Sequence, residues 1–321
     1  MTRIAVLDDW QGIAAQAANW SALRTRAEVV FFTDAFADAD ALVAALAGFD
    51  AVLAMRERSR LDAGVIGRLP RLRMIAFTGA RNAAVDVAAC AARGILVCGT
   101  PATRSSHATA ELALGLILAA ARHLALGDAE IRAGRFQDRV PPGMDLAGRT
   151  LGVIGLGRIG GRLARYALAM DMKVLAWSQN LSDERAAEIG ATRVDKHTLL
   201  ARSDVISLHL VLSLRSRGII AAADIARMRP GAILANTSRA ALIDRAALLD
   251  ALAARRIVAA LDVFEAEPLP PDDPLRRAPN TVLSPHLGYV TADNMQDFYR
   301  FSIENLLAWL DGSPIRLVQP G

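Results

Sequence analysis

Three side chains suited to proton transfer and anion binding follow the ends of three successive predicted strands: Arg239, Glu267 and His286. Ligands bind at the carboxyl edge of parallel sheets, so we expect the three to meet around one point there. Histidine titrates near neutrality and can protonate a developing alkoxide. A carboxylate on its second ring nitrogen would orient it, and arginine offers a planar fork for carboxylate or carbonyl oxygens. Singly, each residue has an ordinary structural interpretation. Their joint placement favours acid–base chemistry at a carbonyl group.

A glycine-rich turn supplies the second chemical feature. The apolar strand Leu151–Ile154 runs into Gly155-x-Gly157-x-x-Gly160, and a helical pattern begins at Arg158. In this context Gly155 permits a tight turn, Gly157 lets backbone N–H groups approach a pyrophosphate, and Gly160 allows close helix–strand packing. The helix N-terminus adds partial positive charge where phosphates would sit. The sequence therefore predicts a dinucleotide site.

The type of dinucleotide depends on the end of the next strand. An acidic residue normally binds the adenosine ribose hydroxyls there, but this chain has Ser178, Gln179 and Asn180. Without the carboxylate a 2′-phosphate is not repelled; no arginine stands immediately beside these residues, and Arg185 and Arg158 are the candidates to reach the phosphate. The coenzyme is therefore predicted to be NAD(P), with NADP(H) favoured over NAD(H), although NAD(H) stays open.

The elements that position these residues alternate strand and helix, which predicts an α/β fold with two Rossmann-like, doubly wound parallel sheets. Five strands are predicted over residues 3–100, among them Ala51–Ala54 and Met74–Phe77, and six over residues 150–285, among them Lys173–Trp177. A long apolar helix is expected over 108–126. A last helix, Ala292 to Leu310, is expected to pack on the N-terminal domain. The predicted domains are therefore 1–103 with 290–321, which is discontinuous and flavodoxin-like, and 104–289, which binds the dinucleotide.

Composition excludes several other classes. The net charge is +4, but the basic residues are scattered, so no nucleic-acid partner is predicted. No apolar run reaches the length of a membrane span, and no metal site is predicted. The N-terminus has no signal-peptide pattern, and Cys90 and Cys98 are interpreted as buried reduced thiols. We therefore expect a cytoplasmic protein.

Four segments, in this order, resemble the D-isomer-specific 2-hydroxyacid dehydrogenases. They are Gly155-Leu-Gly-Arg-Ile-Gly160, Asn236-Thr-Ser-Arg239, Leu261-Asp-Val-Phe-Glu-Ala-Glu-Pro268 and Ser284-Pro-His286. The family includes phosphoglycerate dehydrogenase and glyoxylate/hydroxypyruvate reductase. The resemblance implies a split substrate domain, an inserted coenzyme domain and a homodimer built on the coenzyme domains.

The resemblance also implies residue roles. Arg239 would bind substrate, His286 would be the acid/base, and Glu267 would pair with it. Asp262 would lie near the nicotinamide, and His209 would line the coenzyme loop through backbone groups. The full predicted coenzyme set is Gly155, Gly157, Arg158, Ile159, Gly160, Ser178, Gln179, His209, Thr237, Asp262 and Gly288. The predicted substrate set is Arg56, Thr78, Gly79, Ala80 and Arg81.

The substrate loop departs from the family's common form. Backbone amides of residues 78–81 are expected to hold the substrate carboxylate, but Arg81 replaces the usual residue. Arg81 either points to solvent or adds a second anion contact. In phosphoglycerate dehydrogenases an arginine similar to Arg56 contacts the phosphate of the substrate. The resemblance therefore implies that Arg56 favours a phosphorylated substrate or any dianionic 2-oxo acid.

The predicted activity is reversible reduction of a small 2-oxo acid to the D-2-hydroxy acid. One alternative is a coenzyme-sensing protein that resembles the family's transcriptional corepressors and has no significant turnover. Another is a different Rossmann enzyme, such as an L-specific dehydrogenase or an adenosylhomocysteine hydrolase-like protein. The order of Arg239, Glu267 and His286 after the glycine turn counts against the second alternative.

Overall fold

The computed structural model describes residues 1–101 and 104–320. The chain divides into two compact units. Unit 1 comprises Met1–Arg104 with Thr291–Gly321, and unit 2 comprises Ser105–Val290. The predicted boundaries after residues 103 and 289 stand beside these divisions, and Thr103 itself lies outside the described residues.

The N-terminal part of unit 1 alternates strands and short helices. Its elements are β1 (Thr2–Val6), α1 (Ala14–Ala17), α2 (Ser21–Arg24), β2 (Ala27–Phe31), α3 (Ala39–Leu46), β3 (Ala51–Ala54), α4 (Ala63–Gly67), β4 (Met74–Phe77), α5 (Val87–Ala92) and β5 (Leu96–Cys98). The sheet is parallel with the order β2-β1-β3-β4-β5. In this doubly wound order the strand connections change direction between β1 and β3, the position at which such sheets bind ligands.

Unit 2 contains the longer sheet. Its elements are α6 (Ser105–Ala121), α7 (Leu124–Arg132), β6 (Thr150–Ile154), α8 (Arg158–Ala169), β7 (Lys173–Trp177), α9 (Asp183–Ala187), β8 (Thr192–Arg193), α10 (Lys196–Arg202), β9 (Val205–Leu208), α11 (Ala222–Arg227), β10 (Ile233–Asn236), α12 (Arg245–Ala253), β11 (Val258–Leu261) and β12 (Thr281–Leu283), with 3₁₀ turns at Ala240–Leu242 and Pro274–Arg277. The parallel order is β12-β11-β10-β9-β6-β7-β8. Seven strands stand where six were predicted, because the short exposed β8 pairs with β7.

Local sequence explains most of these boundaries. Strands β3, β4, β9 and β10 are buried along their whole length, as expected where helices cover both faces of a parallel sheet. Many helices begin at a side chain that accepts a hydrogen bond from the first turn. These caps are Asp38, Asp62, Asp86, Ser182, Asp195, Asp244 and Thr291.

The predicted helix over 108–126 is wrong, because two helices, α6 and α7, occupy this region. They meet at a 64° bend. His123 has φ of 52° there, a left-handed conformation that a continuing α-helix does not allow. Within residues 1–101 and 104–320 no single helix could cross a membrane; only this bent pair together has the required length and composition.

The last helix, α13 (Ala292–Leu310), belongs to unit 1 and packs on β4 and α1. It contributes the buried aromatic side chains Phe298 and Tyr299. Asn305 donates a hydrogen bond to the carbonyl of Gly99, 2.9 Å away. This hydrogen bond links the segment after β5 to α13.

Candidate functional site

Glu267 and His286 form the closest polar pair at the carboxyl edge of the unit 2 sheet. The His286 Nδ1 and Glu267 Oε2 atoms are 2.5 Å apart, and each side chain keeps less than a fifth of its surface exposed. The second carboxylate oxygen of Glu267 accepts a hydrogen bond from the Phe264 N–H at 2.9 Å. With Nδ1 held by the carboxylate, the Nε2 atom is the ring position left for a substrate proton.

Asp262 anchors the loop that carries His286. Its carboxylate has no exposed surface and accepts hydrogen bonds from the Ser284 hydroxyl (2.6 Å), the Leu287 N–H (2.7 Å) and the Gly288 N–H (2.8 Å). These bonds flank His286 on both sides and support its left-handed backbone, with φ of 56°. Burial raises the pKa of the Asp262 carboxyl, while the hydrogen bonds and His286 act in the opposite direction.

Asn236 anchors the turn that carries Arg239, as Asp262 anchors the loop of His286. The Asn236 amide donates to the Arg239 carbonyl (2.9 Å) and accepts from the Ser238 N–H (3.0 Å). The Ser238 hydroxyl donates to the Leu208 carbonyl at 2.8 Å. The half-buried Arg239 therefore follows β10, beside β11 and β12, whose loops carry Glu267 and His286.

The glycine turn between β6 and α8 has the geometry that a pyrophosphate needs. Gly155 has φ of 101°, and a Cβ there would lie 2.7 Å from the His209 carbonyl oxygen. A Cβ on Gly160 would collide with the Gly155 carbonyl oxygen, whereas one on Gly157 would meet nothing within 4 Å. No side chain caps α8. The N–H groups of Arg158, Ile159 and Gly160 therefore face the helix N-terminus without an intrahelical acceptor, as a phosphate site requires.

A buried hydroxyl supports the same fit. Thr237 Oγ1 is buried and has no hydrogen-bond partner in the part of the chain that the structure describes. A buried polar atom without a partner is costly, so a ligand group is the expected partner. Residues of unit 2 thus fit a bound dinucleotide, with the turn at 155–160 holding phosphates and Thr237 offering a hydroxyl.

The backbone carbonyl of His209 lies against Gly155, and its side chain has an internal partner. Its Nε2 atom lies 2.9 Å from the Ser207 hydroxyl. Burial lowers the pKa of His209 to about 4, so the ring is neutral at physiological pH. Gly288 is buried, and its N–H donates to Asp262.

The end of β7 is open and polar. Ser178 is half-buried, and Gln179 is exposed. Arg185 pairs with Glu188 at 2.5 Å, whereas the exposed Arg158 forms no ion pair with any residue in 1–101 or 104–320. Of the two cations named from sequence, Arg158 is the one left available to a ligand.

Unit 1 places its predicted substrate residues at the carboxyl ends of β3 and β4. Arg56 has φ of 54°, and its guanidinium covers Gly79 so closely that a Cβ at that position would collide with Nη1. Thr78 is fully buried, and its hydroxyl accepts from the Arg56 N–H at 3.0 Å. A side chain larger than hydrogen at 79 would therefore displace Arg56.

The structure leaves only some of the backbone N–H groups of residues 78–81 available for the predicted substrate carboxylate. The Thr78 N–H donates to Ala54 within the sheet, and the Gly79 N–H donates to the Thr100 hydroxyl at 2.7 Å. Both donors are already used. Ala80 and Arg81 are exposed, and their N–H groups form no hydrogen bond with the described residues. The N–H groups of this loop that stay unused within the described residues are thus those of Ala80 and Arg81, and the guanidinium of Arg56, which is near Glu57, lies against Gly79.

Sequence reasoning assigned no role to several residues that build the site. Ser284, Thr100 and Asn236 hold loops through the hydrogen bonds described above. Tyr289 packs its ring against His286. Ser284 and Asn236 stand inside the quoted motifs, so position beside a functional residue was the available signal. Thr100 carries no such signal, because its partner is far away in the sequence.

Comparison with known proteins agrees with this geometry. The family model described as "D-isomer specific 2-hydroxyacid dehydrogenase, NAD binding domain" matches residues 114–288. The chain is 36% identical over 265 residues to a D-3-phosphoglycerate dehydrogenase of Archaeoglobus fulgidus, covering 82% of this chain and 50% of that protein. It is 37% identical over 257 residues to a glyoxylate reductase of Korarchaeum cryptofilum, covering 78% and 77%.

A solved structure described as a phosphoglycerate oxidoreductase from Vibrio cholerae superposes with a TM-score of 0.92 at 35% identity, covering 97% of this chain and all of that one. The chain spans about half the length of the phosphoglycerate dehydrogenases that it matches. None of these relatives is a corepressor, so the comparisons give no support to the coenzyme-sensing alternative. On the family match and these identities, the chain belongs to the D-isomer-specific 2-hydroxyacid dehydrogenase family.

Proposed function

We propose that the protein is an NAD(P)-dependent oxidoreductase that reversibly reduces a small 2-oxo acid to the D-2-hydroxy acid. The observation that carries the proposal is the 2.5 Å contact between His286 Nδ1 and Glu267 Oε2, in the unit that also contains the dinucleotide turn. Relatives described as glyoxylate reductase and D-3-phosphoglycerate dehydrogenase support the substrate class.

The reduced nicotinamide, when bound, supplies the hydride that the carbonyl carbon accepts. The protein's part is the proton: as the C=O π bond breaks, the oxygen takes a proton from His286 Nε2. Glu267 stabilises the imidazolium before transfer and keeps the ring oriented afterwards. In the oxidation direction the same nitrogen accepts the hydroxyl proton.

Arg239 and the unit 1 loops are assigned to substrate binding. A guanidinium can form two parallel hydrogen bonds with a carboxylate, or one with the reacting carbonyl oxygen, which it would polarise. We assign Arg239 to this role. In unit 1, the N–H groups of Ala80 and Arg81 and the guanidinium of Arg56 are assigned to anionic groups of the substrate.

We further propose that the coenzyme is NADP(H) rather than NAD(H). The support is the absence of an acidic side chain at Ser178 to Asn180 and the availability of Arg158 for a phosphate. Ser178→Asp should reverse the preference, because a carboxylate repels a 2′-phosphate and accepts hydrogen bonds from ribose hydroxyls. Dissociation constants of NADPH and NADH measured for both proteins test this. Unchanged ratios would contradict it.

We also propose a homodimer through unit 2 and a cytoplasmic location. The dimer is supported by exposed apolar side chains on and beside α7: Leu124, Leu126, Ile131 and Phe136. The location is supported by the free, buried Cys90 and Cys98. Light scattering and cell fractionation, respectively, test the two statements.

The central experiment is a nicotinamide-absorbance assay with NADH and NADPH against glyoxylate, hydroxypyruvate, pyruvate, longer 2-oxo acids and 3-phosphohydroxypyruvate. Turnover of at least one of them, with the D-hydroxy acid as the product, is expected. Tight coenzyme binding without turnover of any 2-oxo acid would favour the coenzyme-sensing alternative instead.

A further inference from the structure

Tyr289 lies next to the proposed acid/base, in a turn that folds it back toward the imidazole. The Val290 N–H donates to the Leu287 carbonyl at 2.8 Å and closes this turn. The Tyr289 side chain is 4% exposed, and its ring meets the His286 ring edge-to-face, with centroids 5.6 Å apart and planes at 73°. This is a favourable geometry for a pair of aromatic rings.

The contacts of His286 leave one degree of freedom for such a ring to restrict. Asp262 fixes the backbone of the loop, and the hydrogen bond to Glu267 restrains the distance between Nδ1 and that carboxylate. One restrained distance does not fix both side-chain torsions of His286, so coupled rotation about its Cα–Cβ and Cβ–Cγ bonds can still turn the ring and change the direction of Nε2. An aromatic ring packed at 73° to the imidazole opposes this rotation, because turning either ring would remove the edge-to-face contact.

We propose that Tyr289 is a positioning residue, whose aromatic ring sets the plane of the His286 imidazole and so aims Nε2 at the substrate oxygen. The expected effect on kcat rests on the proposed function, whereas the expected orientation of the imidazole does not. It concerns the ring of Tyr289, not its hydroxyl. Phenylalanine should therefore replace tyrosine, and an aliphatic side chain should not.

A spectroscopic experiment tests the ring contact without any turnover. The chain has five histidines, so NMR spectra of protein labelled in histidine rings contain few signals, and the His286→Gln variant identifies the one from residue 286. In Tyr289→Leu we expect that signal to move because the ring current is lost, and in Tyr289→Phe to stay near its original position. A signal that is unmoved in the leucine variant would overturn the proposal.

Kinetics test the consequence. Losing an edge-to-face contact should lower kcat of Tyr289→Leu about 3- to 10-fold, with KM and coenzyme Kd unchanged, and Tyr289→Phe should retain kcat. Tyr166 is a half-buried tyrosine on α8 in the same unit, so Tyr166→Leu is the matched control. Its kcat and the position of its His286 signal should equal those of the wild-type protein. Should Tyr289→Leu not fold, Tyr289→Met takes its place.

The outcomes separate the two claims. Equal losses of kcat in the phenylalanine and leucine variants would overturn the positioning role, since the hydroxyl would then carry the effect. A wild-type protein that turns over no 2-oxo acid would overturn the proposed function, while the NMR comparison would still decide whether Tyr289 holds the imidazole.

Discussion

The two units present different chemistry at the carboxyl edges of their sheets. In unit 2 the candidate side chains are held by carboxylates: the half-buried Glu267 holds His286, and the buried Asp262 holds the loop around it. In unit 1 the edge offers a guanidinium, that of Arg56, and the exposed N–H groups of Ala80 and Arg81. The first arrangement is suited to moving a proton at a defined atom, and the second to binding an anion.

This difference suggests a division of labour that kinetics can test. Groups that act only in the transition state affect kcat, whereas groups that bind substrate and transition state equally affect KM. Substitutions of His286 and of the residues that hold it should therefore lower kcat, and substitutions of the anion-binding groups at the unit 1 edge should raise KM.

The largest expected effect is that of His286→Ala. Removing a general acid should lower kcat by roughly 10²- to 10⁴-fold while leaving coenzyme binding nearly unchanged. Steady-state kinetics and a coenzyme titration measure the two quantities. His197→Ala, at an exposed position, is the control. An unchanged kcat in the His286 variant would show that His286 is not the general acid of the reaction.

The next effect concerns Asp262. Asp262→Ala leaves the part-buried N–H of Leu287 and the buried N–H of Gly288 without an acceptor, so the free energy of unfolding should fall by about 3 kcal/mol. The value of kcat should fall with it, because the His286 loop loses its anchor. Ser284→Ala removes only one of the three bonds and should cost about 1 kcal/mol. Equal stabilities in urea unfolding would show that the anchor is dispensable.

A pH effect on stability should come from His209. Its pKa falls from 6.5 to about 4 on folding, so between these values the unfolded state binds more protons than the folded state. Stability should therefore rise with pH across this window, and about 2 kcal/mol should be lost between about pH 7.5 and about pH 5. His209→Gln should reduce this dependence in coenzyme-free protein. If both proteins lose stability equally on acidification, the neutral buried imidazole is not its cause.

The smallest effect tests unit 1. Arg56→Gln should raise KM about 10-fold with kcat unchanged, because one charge-assisted contact to the substrate is lost. Arg60→Gln, whose side chain is 81% exposed, is the matched control. Arg81→Gln distinguishes the two interpretations of that residue: a raised KM identifies an anion contact, and an unchanged KM a solvent-exposed side chain. If Arg56→Gln lowers kcat without changing KM, unit 1 does not have the purely substrate-binding role that distinguishes it from unit 2.

Much of the fold could be predicted because buried parallel strands are short apolar runs between polar caps. The predicted strands Ala51–Ala54, Met74–Phe77 and Lys173–Trp177 have the bounds observed in the structure. The two-residue strand β8 could not be predicted, because Thr192 and Arg193 are polar and exposed and are recognisable only by their pairing with β7.

The site could be predicted less completely. The pairing of Glu267 with His286 was expected from motif positions, and the structure brings the two together. Which amides of the loop after β4 are free could not be predicted. That depends on Thr100, whose contact with Gly79 arises only when β4 and β5 pair. Satisfaction of backbone donors is a tertiary property, and a motif does not reveal it.

The position of α13 has a consequence for biosynthesis. This helix supplies Phe298, Tyr299 and Leu306 to the core of unit 1, yet the ribosome makes it only after the whole of unit 2 has been translated. Residues 1–101 therefore emerge without the aromatic side chains that cover them, and their core is complete only after α13 has been translated. Nascent chains stalled before residue 291 should accordingly expose apolar surface at their N-terminal end, where a chaperone or a protease would act first.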